Sequence, residues 1–389
     1  VYSTINKIMF TPQLIERFSK LETPFYYYDL ELLNRTLHAI KKHAPSQSHV
    51  HYALKANAHP KVLNHIQQAG LGADCVSGNE IQRAVDCGFR ADNIVFAGVG
   101  KSDKEIELAL GHNILCFNVE SIPELNVIND IAAKLGKTAG IALRVNPNVD
   151  AFTHKYITTG LEENKFGINP YEFDAVMDAM SKLKNLKFMG LHFHVGSQIT
   201  DLSVFRNLCA RANEINKWFT QKGLFSKHIN VGGGLGINYK EPDRQAIVDF
   251  ESYFGIFSQL LQLQTGQEMH FELGRAVVAQ CGSLISRVLY VKEGINTHFT
   301  ILDAGMTELI RPALYQAYHK IENLNAASVI ADKRYDVVGP ICESSDCFGK
   351  AVELPLTKRG DLIAIRSAGA YGEVMSNRYN LRDAVQSIF

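Results

Sequence analysis

Short apolar runs alternate with helix-like segments between residues 51 and 274, and this alternation predicts strands that are each followed by a helix. Helix-like segments such as KVLNHIQQAG and SGNEIQRAVDCG end in glycine, the usual residue after a helix, and Ser102 and Glu105 have the spacing of a capping box. The runs that predict strands are HYALKA (51–56), GADCVS (72–77), NIVFAG (93–98), LCFNV (115–119), GIALRVNP (140–147), MGLHFHVGS (189–197), HINVGGG (228–234) and MHFELG (269–274).

Eight strand–helix alternations over this length predict an α/β protein with a (β/α)8 barrel of the TIM type. A doubly wound open sheet has the same order of elements, and strand counting alone leaves it as an alternative. After Arg275 the pattern changes to β-like runs joined by irregular polar stretches, which predict a second, mostly β domain. We expect the barrel at residues 31–275 and the β-rich domain at residues 1–30 plus 276–389, because the early run FYYYDL is also β-like.

The charge balance and the cysteines narrow the class of protein. The chain has 40 Lys+Arg and 40 Asp+Glu, so no net charge favours nucleic acid or an anionic membrane as a partner. No apolar run is long enough to cross a bilayer, and the first residues lack the charged head and apolar centre of a secretion signal. Seven scattered cysteines suit reduced thiols better than a disulfide framework. We therefore expect a cytoplasmic protein whose partner is a small molecule.

The ends of the predicted strands carry polar residues, and barrel enzymes keep their chemistry at these ends. Alternation along HVHYALKAN places Lys55 on the face of His51 and Ala53, which predicts an ammonium group inside the barrel mouth. A lysine that extends to solvent from a strand end is the alternative. Alternation also places His192 and His194 on one face, where they are either core histidines or an imidazole stacked on a cofactor. No third ligand has the spacing of a zinc site, so we predict no metal.

Two further strand ends carry a glycine loop and a charged segment. The loop VGGGLG leaves bare backbone amides that suit a phosphate, although a tight turn would also explain it. It lacks the dinucleotide pattern because Ile237 occupies the last glycine position, and the GKS segment at 100–102 is not a P-loop because Val95 replaces the first glycine. The segment FELGR supplies Glu272 and Arg275, which could also be a simple ion pair.

Taken together, the strand ends supply the groups that would hold pyridoxal 5′-phosphate (PLP). A lysine can bind the aldehyde, an imidazole can stack on the ring, and the glycines with an arginine can bind the phosphate. A carboxylate can keep the pyridine nitrogen protonated. Each group has an ordinary structural explanation alone, but their occurrence at successive strand ends favours a PLP site.

The motifs YALKAN, GADCVSGNE, HFHVGSQ, VGGGLG, FELGR, GPICESSD and SAGAYG resemble those of the fold-type III PLP-dependent decarboxylases, whose fold is that of alanine racemase and ornithine decarboxylase. The resemblance runs from about residue 24 to residue 389. It is closest to the branch that converts meso-2,6-diaminopimelate to L-lysine and carbon dioxide, the last step of lysine biosynthesis. The segments specific to this branch are 146–168, 309–319 and 342–346.

The resemblance implies a role for each group of residues. Lys55 resembles the lysine that carries PLP, and Cys342 resembles the thiol that protonates the substrate carbon after carbon dioxide leaves. Because Cys342 and Glu343 reach the neighbouring subunit's site in this family, a homodimer with shared active sites is implied. The implied PLP contacts are Lys55, Asp74, His194, Ser197, Gly233, Gly234, Glu272 (against the pyridine nitrogen), Leu273, Gly274, Arg275 and Tyr371. The implied substrate contacts are Arg275, Arg311, Tyr315, Glu343 and Tyr371.

Two residue types separate the possible reactions. Glu272 favours a decarboxylase over a racemase of this fold, in which an arginine would face the pyridine nitrogen. The arginines Arg275 and Arg311 favour a substrate with a distal carboxylate. The alternatives are a decarboxylase of ornithine, arginine or carboxynorspermidine, and a non-catalytic PLP-binding homologue. Arg378, inserted in MSNRYN, departs from the family pattern beside Tyr379.

Overall fold

The computed structural model describes residues 9–149, 165–326 and 333–389. The strands in these ranges are β1 (Phe25–Tyr28), β2 (Ser48–Ala53), β3 (Gly72–Cys75), β4 (Ile94–Phe96), β5 (Cys116–Val119), β6 (Ala139–Arg144), β7 (Leu186–His192), β8 (His228–Asn230), β9 (Glu268–Leu273), β10 (Gly282–Glu293), β11 (His298–Leu302), β12 (Ile321–Asn323), β13 (Lys333–Val338), β14 (Cys347–Leu354), β15 (Leu362–Ile365) and β16 (Gln386–Ile388). The helices are α1 (Pro12–Ser19), α2 (Leu30–His43), α3 (Pro60–Gln68), α4 (Gly78–Asp86), α5 (Asp103–His112), α6 (Ile122–Lys134), α7 (Phe173–Lys182), α8 (Ser203–Gln221), α9 (Phe250–Leu260), α10 (Arg275–Val278) and α11 (Arg311–Tyr315).

Strands β2 to β9 form a closed parallel barrel in chain order, and β9 pairs back onto β2. The predicted (β/α)8 barrel is therefore confirmed, and the open sheet is excluded. The strands follow from the apolar runs, because a strand buried on both faces needs a nearly continuous apolar sequence. The capping box is also confirmed: the Ser102 N–H donates to the Glu105 carboxylate at 3.0 Å, immediately before α5.

The chain divides into two compact units, one formed by Thr36–Gly236 and Asp249–Val277 and the other by Val1–Arg35, Ile237–Val248 and Val278–Phe389. The first unit contains the barrel. The predicted domain limits stay a prediction. They differ from these units at residues 31–35 and 237–248, which the sequence assigned to the barrel, and at residues 276–277, which it assigned to the β-rich domain.

The second unit contains a sheet with the strand order β12-β15-β10-β11-β13-β14, and β1 pairs with β10 and with β16. The mostly β character predicted for this part of the chain is confirmed. The run FYYY pairs antiparallel with β10, with Phe25 opposite Ile285. Aromatic residues favour strands because their side chains pack well on a pleated surface, and Tyr26 and Tyr28 are fully buried.

Among the helices of the described residues, none has both the length and the apolar character that a membrane span requires.

Candidate functional site

Lys55 lies in the turn that directly follows β2, and not in the strand as predicted. Strand β2 ends at Ala53, and residues 54–56 form a 3-10 turn, so the alternation argument does not extend to Lys55. The argument from alternation was therefore wrong, because Lys55 lies in a turn and not in a strand. The turn brings Lys55 Nζ to 3.3 Å from Asp74 Oδ2, near the end of the neighbouring strand β3.

Asp74 is a buried carboxylate with an unusual proton affinity. Burial and the nearby Glu272 charge raise its pKa to about 7, against the opposing effect of the Lys55 ammonium. Its Oδ1 atom is buried and has no hydrogen-bond partner among the residues that the structure describes. A buried polar atom of this kind normally has a partner, so Asp74 suits contact with a polar group of a bound cofactor.

Glu272 lies on β9, directly across from β2, and its carboxylate is surrounded by donors. The amides of Asn118 and Asn230 donate to Oε1 at 2.9 and 2.8 Å, and His192 Nε2 lies 2.8 Å from Oε2. Burial opposes ionisation, but the charge and hydrogen bond of His192, together with Lys55, hold the pKa of Glu272 well below its usual range. Glu272 is therefore a buried, ionised carboxylate at the same end of the barrel as Lys55.

The two histidines that alternation placed together have different partners. Strand β7 ends at His192, which binds Glu272, and His194 follows in the loop. His194 Nδ1 lies within 3.4 Å of the Gly233 N–H. Burial, together with the positive charges of Arg144 and Lys55, holds the pKa of His194 well below its usual range. His194 is therefore a neutral ring, as stacking on a flat cofactor requires.

The glycine loop after β8 is too closely packed for side chains. A Cβ atom on Gly233 would lie 1.8 Å from the Glu272 carbonyl oxygen. Gly234 has φ +98°, and a Cβ there would lie 2.6 Å from the Gly196 carbonyl oxygen. The backbone therefore requires both glycines for packing alone, and the same absence of side chains keeps the loop open to a phosphate.

A guanidinium and a hydroxyl lie together at this end of the barrel. Arg275 begins α10, two residues after β9 ends at Leu273 and directly after Gly274. Its Nη2 donates to Ser197 Oγ at 3.1 Å. This donor set suits a phosphate, because arginine and hydroxyl groups bind phosphate oxygens strongly. The barrel thus brings together the cofactor contacts predicted in this unit, and their chemistry fits PLP.

The sequence analysis missed Asn118 and Asn230, which complete the surroundings of Glu272. Each is a polar amide in a short, fully buried strand, and a polar residue inside a run that predicts a strand was the available signal. It also missed the buried pair of Arg144 Nη1 and Glu120 Oε1, which are 2.6 Å apart. The rejected P-loop lysine, Lys101, is a buried structural residue, because its Nζ donates to the Gly98 and Asn118 carbonyls and to Glu124.

In the second unit, three of the predicted substrate residues lie together. Arg311 is buried, and its guanidinium carbon lies 5.8 Å from the ring centre of Tyr315 and 6.0 Å from that of Tyr371. Its Nε donates to His319 Nε2 at 3.3 Å, and its Nη2 donates to the Tyr239 hydroxyl at 3.5 Å. The guanidinium group of Arg311 is thus buried and lies beside aromatic rings.

Cys342 and Glu343 lie in the segment between β13 and β14, and both are exposed. The turn is fixed by Asp346, whose carboxylate accepts from the Ile341 and Met306 N–H groups at 2.7 and 2.6 Å. A hydrogen bond with Glu343 raises the pKa of Tyr379. Cys342 is therefore an accessible thiol and not a core cysteine.

Comparison with known proteins defines the class. A family model described as "Pyridoxal-dependent decarboxylase, pyridoxal binding domain" matches residues 30–279, more than half of the chain. Diaminopimelate decarboxylase of Bacteroides thetaiotaomicron is 59% identical over 372 residues, which cover 95% of this chain and 96% of the relative.

Solved structures agree with this class. Diaminopimelate decarboxylase from Helicobacter pylori complexed with L-lysine is 40% identical, with a TM-score of 0.89, and the match covers 96% of this chain and 93% of that chain. The enzyme from M. jannaschii in complex with L-lysine is 34% identical, with a TM-score of 0.86 and coverage of 96% and 88%. The chain belongs to the diaminopimelate decarboxylase family of pyridoxal-dependent decarboxylases. The sequence resemblance is thereby confirmed, although residues 150–164 of the segment 146–168 lie outside the described residues.

Proposed function

We propose that this chain is a carboxy-lyase that converts meso-2,6-diaminopimelate to L-lysine and carbon dioxide with PLP, the last step of lysine biosynthesis. The observation that carries the proposal is Glu272, a buried carboxylate held ionised by His192, Asn118 and Asn230 at the barrel end that carries Lys55. The relatives named diaminopimelate decarboxylase and the solved structures that contain L-lysine support this substrate and product.

The residues that would hold PLP follow from the site. Lys55 would bind the aldehyde, His194 would stack on the ring, and Glu272 would face the pyridine nitrogen. The phosphate contacts would come from Ser197, Gly233, Gly234 and Arg275, and Tyr371 stays a cofactor contact implied by the sequence resemblance. When bound, PLP supplies an electron sink for the electron pair that remains on the substrate when carbon dioxide leaves.

Asp74 would exchange a proton with Lys55. The lysine must lose a proton before its nitrogen can act as a nucleophile. The Asp74 carboxylate lies 3.3 Å from Nζ, and its pKa of about 7 suits proton exchange near neutral pH. Glu272 would stay ionised throughout, because its pKa lies well below its usual range. The two carboxylates therefore have separate tasks, one moving a proton and the other holding a charge.

The substrate contacts stay a proposal based on charge. A distal carboxylate would be bound by Arg275 and Arg311, and a distal ammonium by Glu343, with Tyr315 and Tyr371 beside Arg311. A hydrogen bond between charged groups contributes about 1.5 to 3 kcal/mol, and about 1.4 kcal/mol gives tenfold discrimination. Two arginine contacts would therefore exclude ornithine and lysine, which lack the distal carboxylate.

The direct test is release of carbon dioxide from meso-diaminopimelate, with and without added PLP, beside L-ornithine and L-arginine. We expect PLP-dependent release from diaminopimelate alone. Release from ornithine or arginine instead would keep the decarboxylase chemistry but contradict the substrate. No release from any of the three, despite the visible absorption of bound PLP, would favour a non-catalytic homologue.

We further propose a cytoplasmic homodimer in which Cys342 acts in the partner's site. Cys342 would donate a proton to the substrate carbon after decarboxylation, and this requires the reduced thiol that the cytoplasm maintains. An exposed position suits a thiol that acts across a subunit boundary.

Replacing Cys342 with alanine should leave PLP binding intact and lower kcat by about 10²- to 10⁴-fold, the contribution typical of a general acid. The measurement is kcat for lysine formation together with the absorption spectrum of bound PLP. Cys347→Ala is the matched control, because Cys347 lies on the neighbouring strand β14 and is only half-buried. Unchanged kcat in Cys342→Ala would remove this thiol from the mechanism.

Mixing two inactive variants tests the shared site. If Cys342 acts in the partner's site, random pairing of Lys55→Ala and Cys342→Ala chains in a twofold dimer should restore about a quarter of wild-type activity. In half of the dimers, one site would then receive both native residues. No recovery on mixing, in preparations shown to exchange subunits, would contradict a shared site.

A further inference from the structure

A cluster of histidines lies where β2, β8 and β9 begin, at the barrel end opposite the proposed PLP site. His49 is the second residue of β2, His228 is the first of β8, and Glu268 and His270 are the first and third of β9. In the parallel register, His49 lies opposite His270. None of these residues has a part in the proposed reaction, and the sequence analysis did not consider them.

A chain of hydrogen bonds fixes which nitrogen of His270 carries its proton. His51 Nδ1 lies 3.2 Å from the Asn93 carbonyl oxygen, which can only accept, so Nδ1 carries the proton. His51 Nε2 then accepts from His270 Nδ1 at 2.9 Å. In a neutral ring, the second nitrogen of His270, Nε2, must therefore present a lone pair.

That lone pair is buried and has no donor. His270 is only 3% exposed, and its Nε2 atom has no hydrogen-bond partner within the described part of the chain. The orphaned nitrogen of a neutral His270 ring can therefore act as a Lewis base toward a metal ion.

Two more side chains with ligand atoms lie near His270. One atom from each of His49, Glu268 and His270 lies within 4.8 Å of the others. Tetrahedral ligands at zinc–nitrogen distances of 2.0 to 2.1 Å are separated by about 3.3 Å, so binding requires a modest approach of the side chains. His49 and Glu268 can move, because their side chains are 48% and 35% exposed. They also line a cavity of about 300 Å³ that admits an ion and water.

The surrounding charges are compatible with a cation. Glu268 Oε2 lies 3.9 Å from Lys227 Nζ and 4.0 Å from His228 Nε2. The Lys227 pair is solvent-exposed and contributes little energy, so a divalent ion can replace it.

We propose that His49, Glu268 and His270 form a binding site for a divalent transition-metal ion of the zinc class, with water as the fourth ligand. Two imidazoles and a carboxylate are a ligand set that suits zinc. The hydrogen bond from His270 Nδ1 to His51 is the outer contact that metal-binding histidines characteristically make. The metal would join β2 to β9, the pair of strands that closes the barrel.

The test is titration of the full-length, PLP-loaded protein with Zn²⁺ by calorimetry and with Co²⁺ by visible absorption. We expect one ion per chain at this site, with a Co²⁺ spectrum of nitrogen and oxygen ligands. At saturation, Zn²⁺ should raise the melting temperature by about 3 to 5 °C, since an ion that binds only the folded state stabilises it. Co²⁺ bound by an exposed thiol such as that of Cys342 would instead show sulfur-to-metal charge-transfer absorption.

The variants His49→Gln and Glu268→Gln change partly exposed side chains, so both should fold. Each should weaken Co²⁺ binding at least tenfold, because even the outer contacts of a metal site are worth about 10- to 100-fold. His38→Gln is the matched control, because His38 is an exposed histidine on helix α2. Wild-type affinity in either ligand variant, or no binding by the wild type, would overturn the proposal. The outcome does not depend on the decarboxylase assay.

Discussion

Replacing Lys55 with alanine should abolish covalent attachment of PLP and lower the rate of lysine formation by about 10³-fold or more, because both the attachment point and a proton-transfer group are lost. The variant should still fold. Lys55 is the cation that lowers the pKa of Asp74, so without it Asp74 will hold its proton more tightly and leave no uncompensated buried charge.

The readouts for Lys55→Ala are the visible absorption of the bound cofactor and the turnover of meso-diaminopimelate. Lys61→Ala is a suitable control, because Lys61 is exposed on helix α3, close to Lys55 in sequence. Near-normal turnover, or a cofactor that borohydride still fixes to the chain so that it survives denaturation as in the wild type, would contradict the assignment of Lys55.

Glu272→Gln is the second change for which we expect a large effect. Glutamine keeps the size of the side chain but removes the negative charge that would keep the pyridine nitrogen protonated. We expect kcat to fall by about 10²- to 10³-fold, the range for removal of one preorganised electrostatic group, while PLP remains attached through Lys55. The pKa of Glu272 lies well below its usual range, so the wild-type carboxylate stays ionised, and because glutamine has no ionisable group, raising the pH should not rescue the defect.

The rate and absorption spectrum of Glu272→Gln should be compared with those of Glu268→Gln. Both residues lie on β9, but Glu268 starts the strand at the opposite end of the barrel. Loss of activity in the Glu272 variant alone would locate the effect at the pyridine nitrogen. An equal loss in both variants would instead indicate damage to the strand, and an active Glu272→Gln enzyme would remove the charge from the mechanism.

The barrel could be predicted from the sequence because each buried strand requires an apolar run, and the eight runs mark the eight strands. Strand counting alone could not exclude an open sheet, since pairing of β9 with β2 depends on contacts between residues far apart in sequence. The limits of the domains stay a prediction. Residues 237–248 group with the β-rich unit through contacts between residues far apart in sequence, which the local pattern does not indicate.

For the site too, features with a local signal in the sequence could be predicted, and contacts between residues far apart in sequence could not. Lys55, Glu272 and the glycine loop stand out because their residue types are unusual at strand ends. The argument that placed Lys55 was wrong, because period-2 alternation holds only within a strand and β2 ends at Ala53, although the ammonium does lie beside Asp74. The partners of Glu272 were not predicted, because Asn118, Asn230 and His192 meet it only after the barrel closes.

The pairing of β1 with both β10 and β16 has a consequence for synthesis on the ribosome. The N-terminal strand forms parallel bridges to the last strand of the chain, with Phe25 opposite Gln386. The residues of the barrel are complete once Val277 has left the exit tunnel, so this unit can fold while translation continues. Strand β1 is made before the barrel, and its edge toward β16 stays unpaired until the residues of β16 emerge, so an aromatic strand edge is open to aggregation during synthesis.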